Sequence, residues 1–272
     1  MTLITLRLCD GRKVVAREAG AGPVVLLIHG VGMCADAWGP QIADLARDYR
    51  VIAVNMPGHG GSDLLAEGAR LPEYVRWAAQ VIEALDLGPV SVAGHSMGAL
   101  IATGLAVERP DLIARMAVLN GVYRRSPQAR ADVELRATQI ASGESDIFQP
   151  LARWFDTDPA QSAIREQVAQ WLEAVDHAGY AAAYRAFAEG DTVYADQWDK
   201  VACPALALTG DGDRNSTPEM AQAMAEAAQQ GVAVVIKGHR HMVNLTAPDR
   251  VNDALRDWLH TNDALHIKEK TG

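Results

Sequence analysis

Apolar residues in this chain fall into short continuous runs separated by longer amphipathic stretches. Val24-Val25-Leu26-Leu27-Ile28, Val51-Ile52-Ala53-Val54, Val90-Ser91-Val92-Ala93, Met116-Ala117-Val118-Leu119, Ala205-Leu206-Ala207-Leu208-Thr209 and Val232-Ala233-Val234-Val235-Ile236 are such runs. Each reads as a strand, the first two as strands buried on both faces, and their repetition is the signature of a parallel sheet covered by helices. Between them the spacing predicts helices over Trp38–Asp48, Leu71–Asp86 with a Leu87-Gly88-Pro89 stop, Thr217–Gln230 and Pro248–His260. Leu3–Leu8 and Lys13–Glu18 flank Asp10-Gly11 as an edge hairpin. The expectation is an α/β fold: a mostly parallel, doubly wound sheet of about eight strands.

The rhythm breaks between Tyr123 and Lys200. Strand-like runs vanish there, and Ala/Gln/Arg-rich helical segments take their place. We therefore expect a core of residues 1–122 and 201–272 carrying an inserted helical cap, or lid, over 123–200. Ten of the chain's aromatics lie between Tyr123 and Trp198, among them Phe148, Trp154, Tyr184 and Phe187. Most would pack the cap's own small core, and the rest would line an apolar pocket. The arginines of this stretch (Arg124, Arg125, Arg130, Arg136, Arg153, Arg165 and Arg185) read mostly as a solvated face, one of which could clamp a substrate carboxylate. The tail from Thr261 to Gly272 is polar and is expected to fray.

Composition removes whole classes of function. The net charge is −9 and the pI about 5.3, with no Lys/Arg stripe, so a nucleic-acid groove is not expected. No apolar stretch is long enough for a membrane span, and Met1-Thr2-Leu3-Ile4-Thr5-Leu6-Arg7 does not resemble a signal peptide. A cytoplasmic location is the default. Cys9, Cys34 and Cys203 are widely separated, forming neither a disulfide framework nor metal-spaced pairs. No cofactor and no metal are expected. A homo-oligomer is left open.

The chemistry concentrates after the strands, where an open parallel sheet gathers its reactive groups. Gly94-His95-Ser96-Met97-Gly98 follows one strand and opens an Ala/Gly/Leu-rich helix, the context that G-x-S-x-G demands. The two glycines let strand and helix approach around the bend, and the Ser96 hydroxyl projects from the sheet. A serine needs a base, and the base an orienting acid. Gly210-Asp211-Gly212-Asp213 offers two acids; Asp213, further round the turn, is favoured, while Asp211 would cap it. Gly238-His239-Arg240-His241 offers two bases; His241, followed by an apolar pair, is favoured over His239. His177, His260 and His266 read as solvent-facing. The amides of Met97 and of Val31, in His29-Gly30-Val31-Gly32, are placed to receive an oxyanion. His29 and His59 read as braces. His29, Gly30, His95, Tyr123, Trp154 and Tyr184 are the candidate substrate contacts.

Together these residues resemble the α/β-hydrolase fold family, in its serine-nucleophile branch with a helical cap. The carrying motifs are His29-Gly30-Val31-Gly32, Pro57-Gly58-His59-Gly60-Gly61-Ser62, Gly94-His95-Ser96-Met97-Gly98, Gly210-Asp211-Gly212-Asp213, and His241 with Pro248 downstream. The order Ser, Asp, His is the family's. The resemblance implies that Ser96, Asp213 and His241 are nucleophile, acid and base, with Val31 and Met97 as oxyanion donors. Two positions depart from it: Asn55 stands where the family often has Asp, and Thr246 where it often has Glu. The stretch from Asp176 to Tyr184 with Ala188-Glu189-Gly190-Asp191 looks loosely like the cap of small enol-lactone hydrolases.

The expected function is a cofactor-independent serine hydrolase that consumes water and cleaves a small carboxylic ester or lactone. Hydrolysis of a carbon–carbon bond in a ring-cleavage diketone, or of an amide, would use the same triad. Haloalkane and epoxide chemistry is disfavoured, because those relatives carry Asp where Ser96 stands. In another class, a non-catalytic or slow-turnover receptor for a small ligand could keep the same residues.

Overall fold

The computed structural model describes residues 1–261 apart from Leu87, Ser145 and Ile147. Leu87 of the helix stop, the Phe148 side chain, and the tail from 262 onward with His266 lie outside the described residues and side chains.

Eight strands form one sheet: β1 (Thr2–Arg7), β2 (Lys13–Ala19), β3 (Val24–Ile28), β4 (Arg50–Val54), β5 (Val90–His95), β6 (Ile113–Leu119), β7 (Ala205–Gly210) and β8 (Gly231–Ile236). Their order is β1-β2-β4-β3-β5-β6-β7-β8. The β1–β2 hairpin adds antiparallel to β4, and every other pairing is parallel. The order reverses around β3, which pairs with β4 on one side and β5 on the other. Loops leaving β3 and β5 therefore diverge above the sheet and open a crevice at their carboxyl ends.

Alternation along each strand explains the two covered faces. Val25 and Leu27 of β3 join one apolar cluster, and Leu26 and Ile28 the other. The first face is covered by α1 (Gly39–Leu45) and α10 (Pro248–His260), through Ile42, Leu45, Val251 and Leu255. The opposite face is covered by α2 (Leu71–Ala84), α3 (Met97–Glu108) and α8 (Pro218–Ala227). Every residue of α3 from Met97 to Ala106 is buried, so this helix has no polar side to present.

Between β6 and β7 run α4 (Pro127–Ala141), α5 (Phe148–Trp154), α6 (Ser162–Ala174) and α7 (His177–Gly190). Asp176 caps α7 by accepting the Gly179 amide, and Ser126 caps α4 by accepting that of Ala129. Residues of these helices pack on the loops above the sheet: a Cβ at Gly32 would meet Leu172 and Tyr180, and one at Gly58 would meet the Gly179 backbone. The helix expected over Thr217–Gln230 is shorter, with Thr217 as its cap and its end at Ala227. A one-turn helix, α9 (Val243–Thr246), follows His241 and has no counterpart in the sequence reading. Among the described residues no helix is long and apolar enough to cross a membrane, and no cluster of side chains could hold a metal ion.

Candidate active site

Ser96 sits between the end of β5 and the start of α3 with φ 54° and ψ −111°. A non-glycine residue in that region is strained, and it persists only where the surroundings enforce it. Here the enforcement is contact distance. A Cβ on Gly94 would lie 2.0 Å from the Gly98 carbonyl oxygen, and one on Gly98 2.1 Å from that of Ile28. The chain can therefore turn this tightly, and α3 can approach β3, only with glycine at both positions. The Ser96 amide donates to the Leu119 carbonyl (2.9 Å), which ties the turn to β6.

Asp213 and His241 reach the site from neighbouring strand ends. Gly210 lets their two loops touch, since a Cβ there would lie 2.2 Å from the His239 carbonyl oxygen. His241 Nδ1 lies 2.7 Å from Asp213 Oδ2, with both side chains buried. Against an ionised carboxylate Nδ1 carries the proton, which leaves Nε2 as an acceptor. Asp213 Oδ1 accepts the amides of Asn215 (2.8 Å) and Ser216 (3.2 Å), and Oδ2 also accepts Asn120 Nδ2 (2.8 Å). Burial pushes the Asp213 pKa up. The adjacent imidazole and the donors around the carboxylate outweigh it and hold the group below the usual carboxylate value. The competing pair stands apart: Asp211 accepts the Gly238 amide, and His239 bonds the Thr246 hydroxyl.

Three further histidines fix the walls. The Met56 amide donates to His29 Nε2 (2.9 Å), so Nδ1 carries the proton and donates to the Gly30 carbonyl (2.7 Å). The Gly32 amide donates to His59 Nε2 (3.1 Å), and His59 Nδ1 donates to the Pro57 carbonyl (3.0 Å). His95 Nε2 donates to the backbone carbonyl of His241 (2.8 Å), bracing the loop beside Ser96. Burial lowers all three pKa values: His29 well below the ordinary value, His59 to about 4 and His95 to about 3. Asn55 braces the same loops, accepting the Ala35 amide (2.7 Å) and donating to the Gly60 carbonyl (3.1 Å).

The loop so held runs against Ser96. A Cβ on Gly30 would lie 3.1 Å from the Ser96 Cβ. Among the described residues, neither the Val31 nor the Met97 amide donates to a protein acceptor. Val31, Ser96 and His241 line one cavity of about 620 Å³, whose other walls come from α4, α5, α7 and the loop after Asp213. A hydroxyl, an imidazole with an accepting nitrogen, an ionised carboxylate and unpaired amides are the parts that acyl transfer uses.

Of the candidate substrate contacts, Trp154 and Tyr184 line this cavity. His29, Gly30, His95 and Tyr123 do not. The first three are spent on bracing and close packing behind the loop. Tyr123 donates its hydroxyl to the Ala195 carbonyl and packs edge-on against Trp198. Four arginines also line the cavity: Arg125, Arg136, Arg153 and Arg214. Arg125 is buried against Asp191, and its Nη2 has no hydrogen-bond partner. Arg153 and Arg214 form no ion pair among the described residues. Asp132 is the one acid of the lining. The sequence reading missed Asn120 and Arg214. Both had a signal in position, Asn120 directly after a buried strand and Arg214 directly after the acid.

A profile of the alpha/beta hydrolase family matches residues 25–254. The chain is 53% identical over 257 residues to the (E)-2-((N-methylformamido)methylene)succinate hydrolase of Acinetobacter baylyi, covering 94% of this chain and 98% of that one. Its fold is similar to that of a thermophilic esterase from Thermogutta terrifontis, with a TM-score of 0.86 at 25% identity, covering 96% of this chain and 99% of that one. It is similar also to that of the enol-lactonase from Burkholderia xenovorans, with a TM-score of 0.84 at 22% identity, covering 94% and 99%. Fold, matched residues and a hydrolase relative along nearly its full length agree: the chain belongs to the alpha/beta hydrolase family.

Proposed function

We propose that this hydrolase cleaves the amide bond of an N-formylated enamine that carries two carboxylates, through an acyl-enzyme on Ser96. The observation that carries the reading is the lining of the cavity beside Ser96 and His241, which holds four arginines and one acid, Asp132: Arg125 is already paired with Asp191, whereas Arg153 and Arg214 are in no ion pair among the described residues. Guanidinium groups pair with carboxylates in bidentate fashion, and a cavity this rich in them suits a dianion better than a neutral ester or lactone. The name of the 53% identical relative describes such a molecule: a succinate with a methylformamido group on its methylene carbon. Of the bonds weighed from the sequence, the amide alternative thus replaces the ester or lactone as the preferred one.

His241 Nε2 takes the Ser96 proton as Oγ attacks the formyl carbon. The oxyanion rests on the amides of Val31 and Met97. The C–N bond then breaks, and His241 returns the proton to the departing nitrogen. That nitrogen is conjugated through the C=C bond to a carboxylate, which eases its departure. Water, deprotonated by the same imidazole, attacks the formyl ester; the bond between Ser96 Oγ and the formyl carbon breaks, the imidazolium returns its proton to Oγ, and formate leaves. One water is consumed and no cofactor enters. Asp213 holds the imidazole tautomer and stabilises the imidazolium. Residues 123–200 act as the cap over a core of 1–122 and 201 onward, and bring Arg125, Arg136, Arg153, Trp154 and Tyr184 to the substrate.

The test is a comparison of kcat/KM on this enamide, on p-nitrophenyl acetate and on a γ-lactone. The reading expects the enamide to exceed the others by about 100-fold or more, the worth of one to two charge-assisted contacts. A preference for the neutral ester or lactone overturns it.

A further inference from the structure

Arg240 lies next to the base in sequence but turns away from the cavity, towards the helical segment. Its Nη1 donates to the carbonyls of Phe155 (2.8 Å) and Ala152 (3.2 Å), and its Nη2 lies 3.6 Å from Asp156 Oδ1. These are groups at and just beyond the carboxyl end of α5, where helix carbonyls lack partners and a cation is favoured. Between the two carbonyls stands Trp154, whose ring is stacked on that of His241 at 5.6 Å between centroids and 27° between planes. The same short loop thus carries the imidazole and holds the backbone that flanks Trp154 in sequence. The backbone carbonyl of Arg240 also lies 3.4 Å from Asn120 Nδ2, the group that holds Asp213.

We infer that Arg240 is a positioning residue that acts through Trp154: it holds the indole over His241, where the ring stabilises the imidazolium formed when Ser96 loses its proton. The separation is within the range at which an aromatic face attracts a cation. The attraction is absent while the imidazole is neutral, so it lowers the barrier rather than tightening the ground state. This gives Trp154 a role beyond lining the cavity, and gives Arg240 a role without substrate contact. The inference rests on the Ser96 reading proposed above.

A double-mutant cycle on kcat tests it, with the methylformamido-methylene succinate as substrate and p-nitrophenyl acetate as a second probe. Arg240→Ala and Trp154→Leu are each expected to lower kcat about fivefold to tenfold, the usual worth of one such contact. KM should change less than kcat. Once the indole is gone Arg240 has nothing to hold, so the double variant should lie within about twofold of Trp154→Leu alone. Losses that multiply, or a wild-type kcat in Arg240→Ala, overturn the inference. If Arg240→Ala fails to give a native circular dichroism spectrum, Arg240→Gln carries the same cycle. Ser96→Ala separates the two readings: turnover that survives it sinks the acyl-enzyme, whereas an inactive Ser96→Ala with multiplying losses sinks only the role of Arg240.

Discussion

Asn120 Nδ2 lies 2.8 Å from Asp213 Oδ2, the same oxygen that accepts the His241 Nδ1 proton. The backbone of Asn120 has φ 49°, and the Ser216 hydroxyl donates to its carbonyl (2.6 Å), so the amide cannot easily swing away. Asn120→Ala leaves Asp213 ionised but one donor short, with its Oδ2 less firmly held against His241. A hydrogen bond to a charged group is worth roughly 1.5–3 kcal/mol. We expect kcat to fall about tenfold to a hundredfold and the melting temperature to fall by several degrees, since the same buried bond also supports the fold. A wild-type kcat in Asn120→Ala would remove Asn120 from the account.

Acid should unfold this protein earlier than its carboxylates alone require. His29, His59 and His95 are neutral when folded, with pKa values lowered by burial, to about 4 for His59 and about 3 for His95. In the unfolded chain they titrate near ~6.5. Above that pH neither state is protonated and these groups add no slope. As pH falls below it, the unfolded state binds protons that the folded state refuses, so stability drops. The slope approaches about 1.4 kcal/mol per pH unit for each histidine. It continues until pH reaches the folded values. Urea unfolding at pH 7, 6 and 5 should show the loss, and His59→Gln should reduce the slope by about one proton. Equal stability at pH 7 and 5 would contradict it.

The arginines of the cavity should govern binding of charged substrate and little else. Arg153→Ala and Arg214→Ala are each expected to raise KM for the dicarboxylate about tenfold to a hundredfold, the range for a lost charge-assisted bond. The rate on p-nitrophenyl acetate should stay within about threefold. Similar losses on both substrates would show that these residues shape the cavity instead of reading carboxylates.

Two glycines make a matched pair for the elbow. At Gly98 a Cβ would meet the backbone at the end of β3, 2.1 Å from Ile28 O and 2.8 Å from His29 O. Gly98→Ala should cost at least about 3 kcal/mol of stability or prevent folding. At Gly39, the first residue of α1, the backbone is helical and a Cβ meets nothing within 4 Å. Gly39→Ala should be neutral or stabilising by up to about 1 kcal/mol. Chemical denaturation of both variants decides; a harmless Gly98→Ala would mean the elbow is looser than its contacts require.

β3 to β7 are legible because strands buried on both faces show as unbroken apolar runs, and strand ends then point to Ser96, Asp213 and His241; β8 is equally apolar in sequence but is an edge strand, with Val232 and Val235 exposed. α9 is not legible, because four residues are too few to show a helical period. Strand order is not written in any local pattern either. The largest gap lies in the arginines. Arg124 and Arg125 are adjacent, yet Arg124 is exposed and paired with Asp196, while Arg125 is buried against Asp191 in the cavity wall. The difference comes from the backbone at Arg124, which is left-handed at φ 48°, and from where α7 sets Asp191. Neither can be read from composition. Likewise the sequence weighs Tyr123, Trp154 and Tyr184 alike, and only the packing of α5 and α7 separates the two that reach the cavity from the one that does not.

The central claim, amide hydrolysis through Ser96, is tested most directly by formate release. The wild-type protein and Ser96→Ala would each be incubated with (E)-2-((N-methylformamido)methylene)succinate and formate measured against substrate lost. The account predicts one formate per substrate from the wild type and a rate lower by about three orders of magnitude or more in Ser96→Ala, with the fold intact. Substrate loss without formate, or formate released by Ser96→Ala at the wild-type rate, would contradict it.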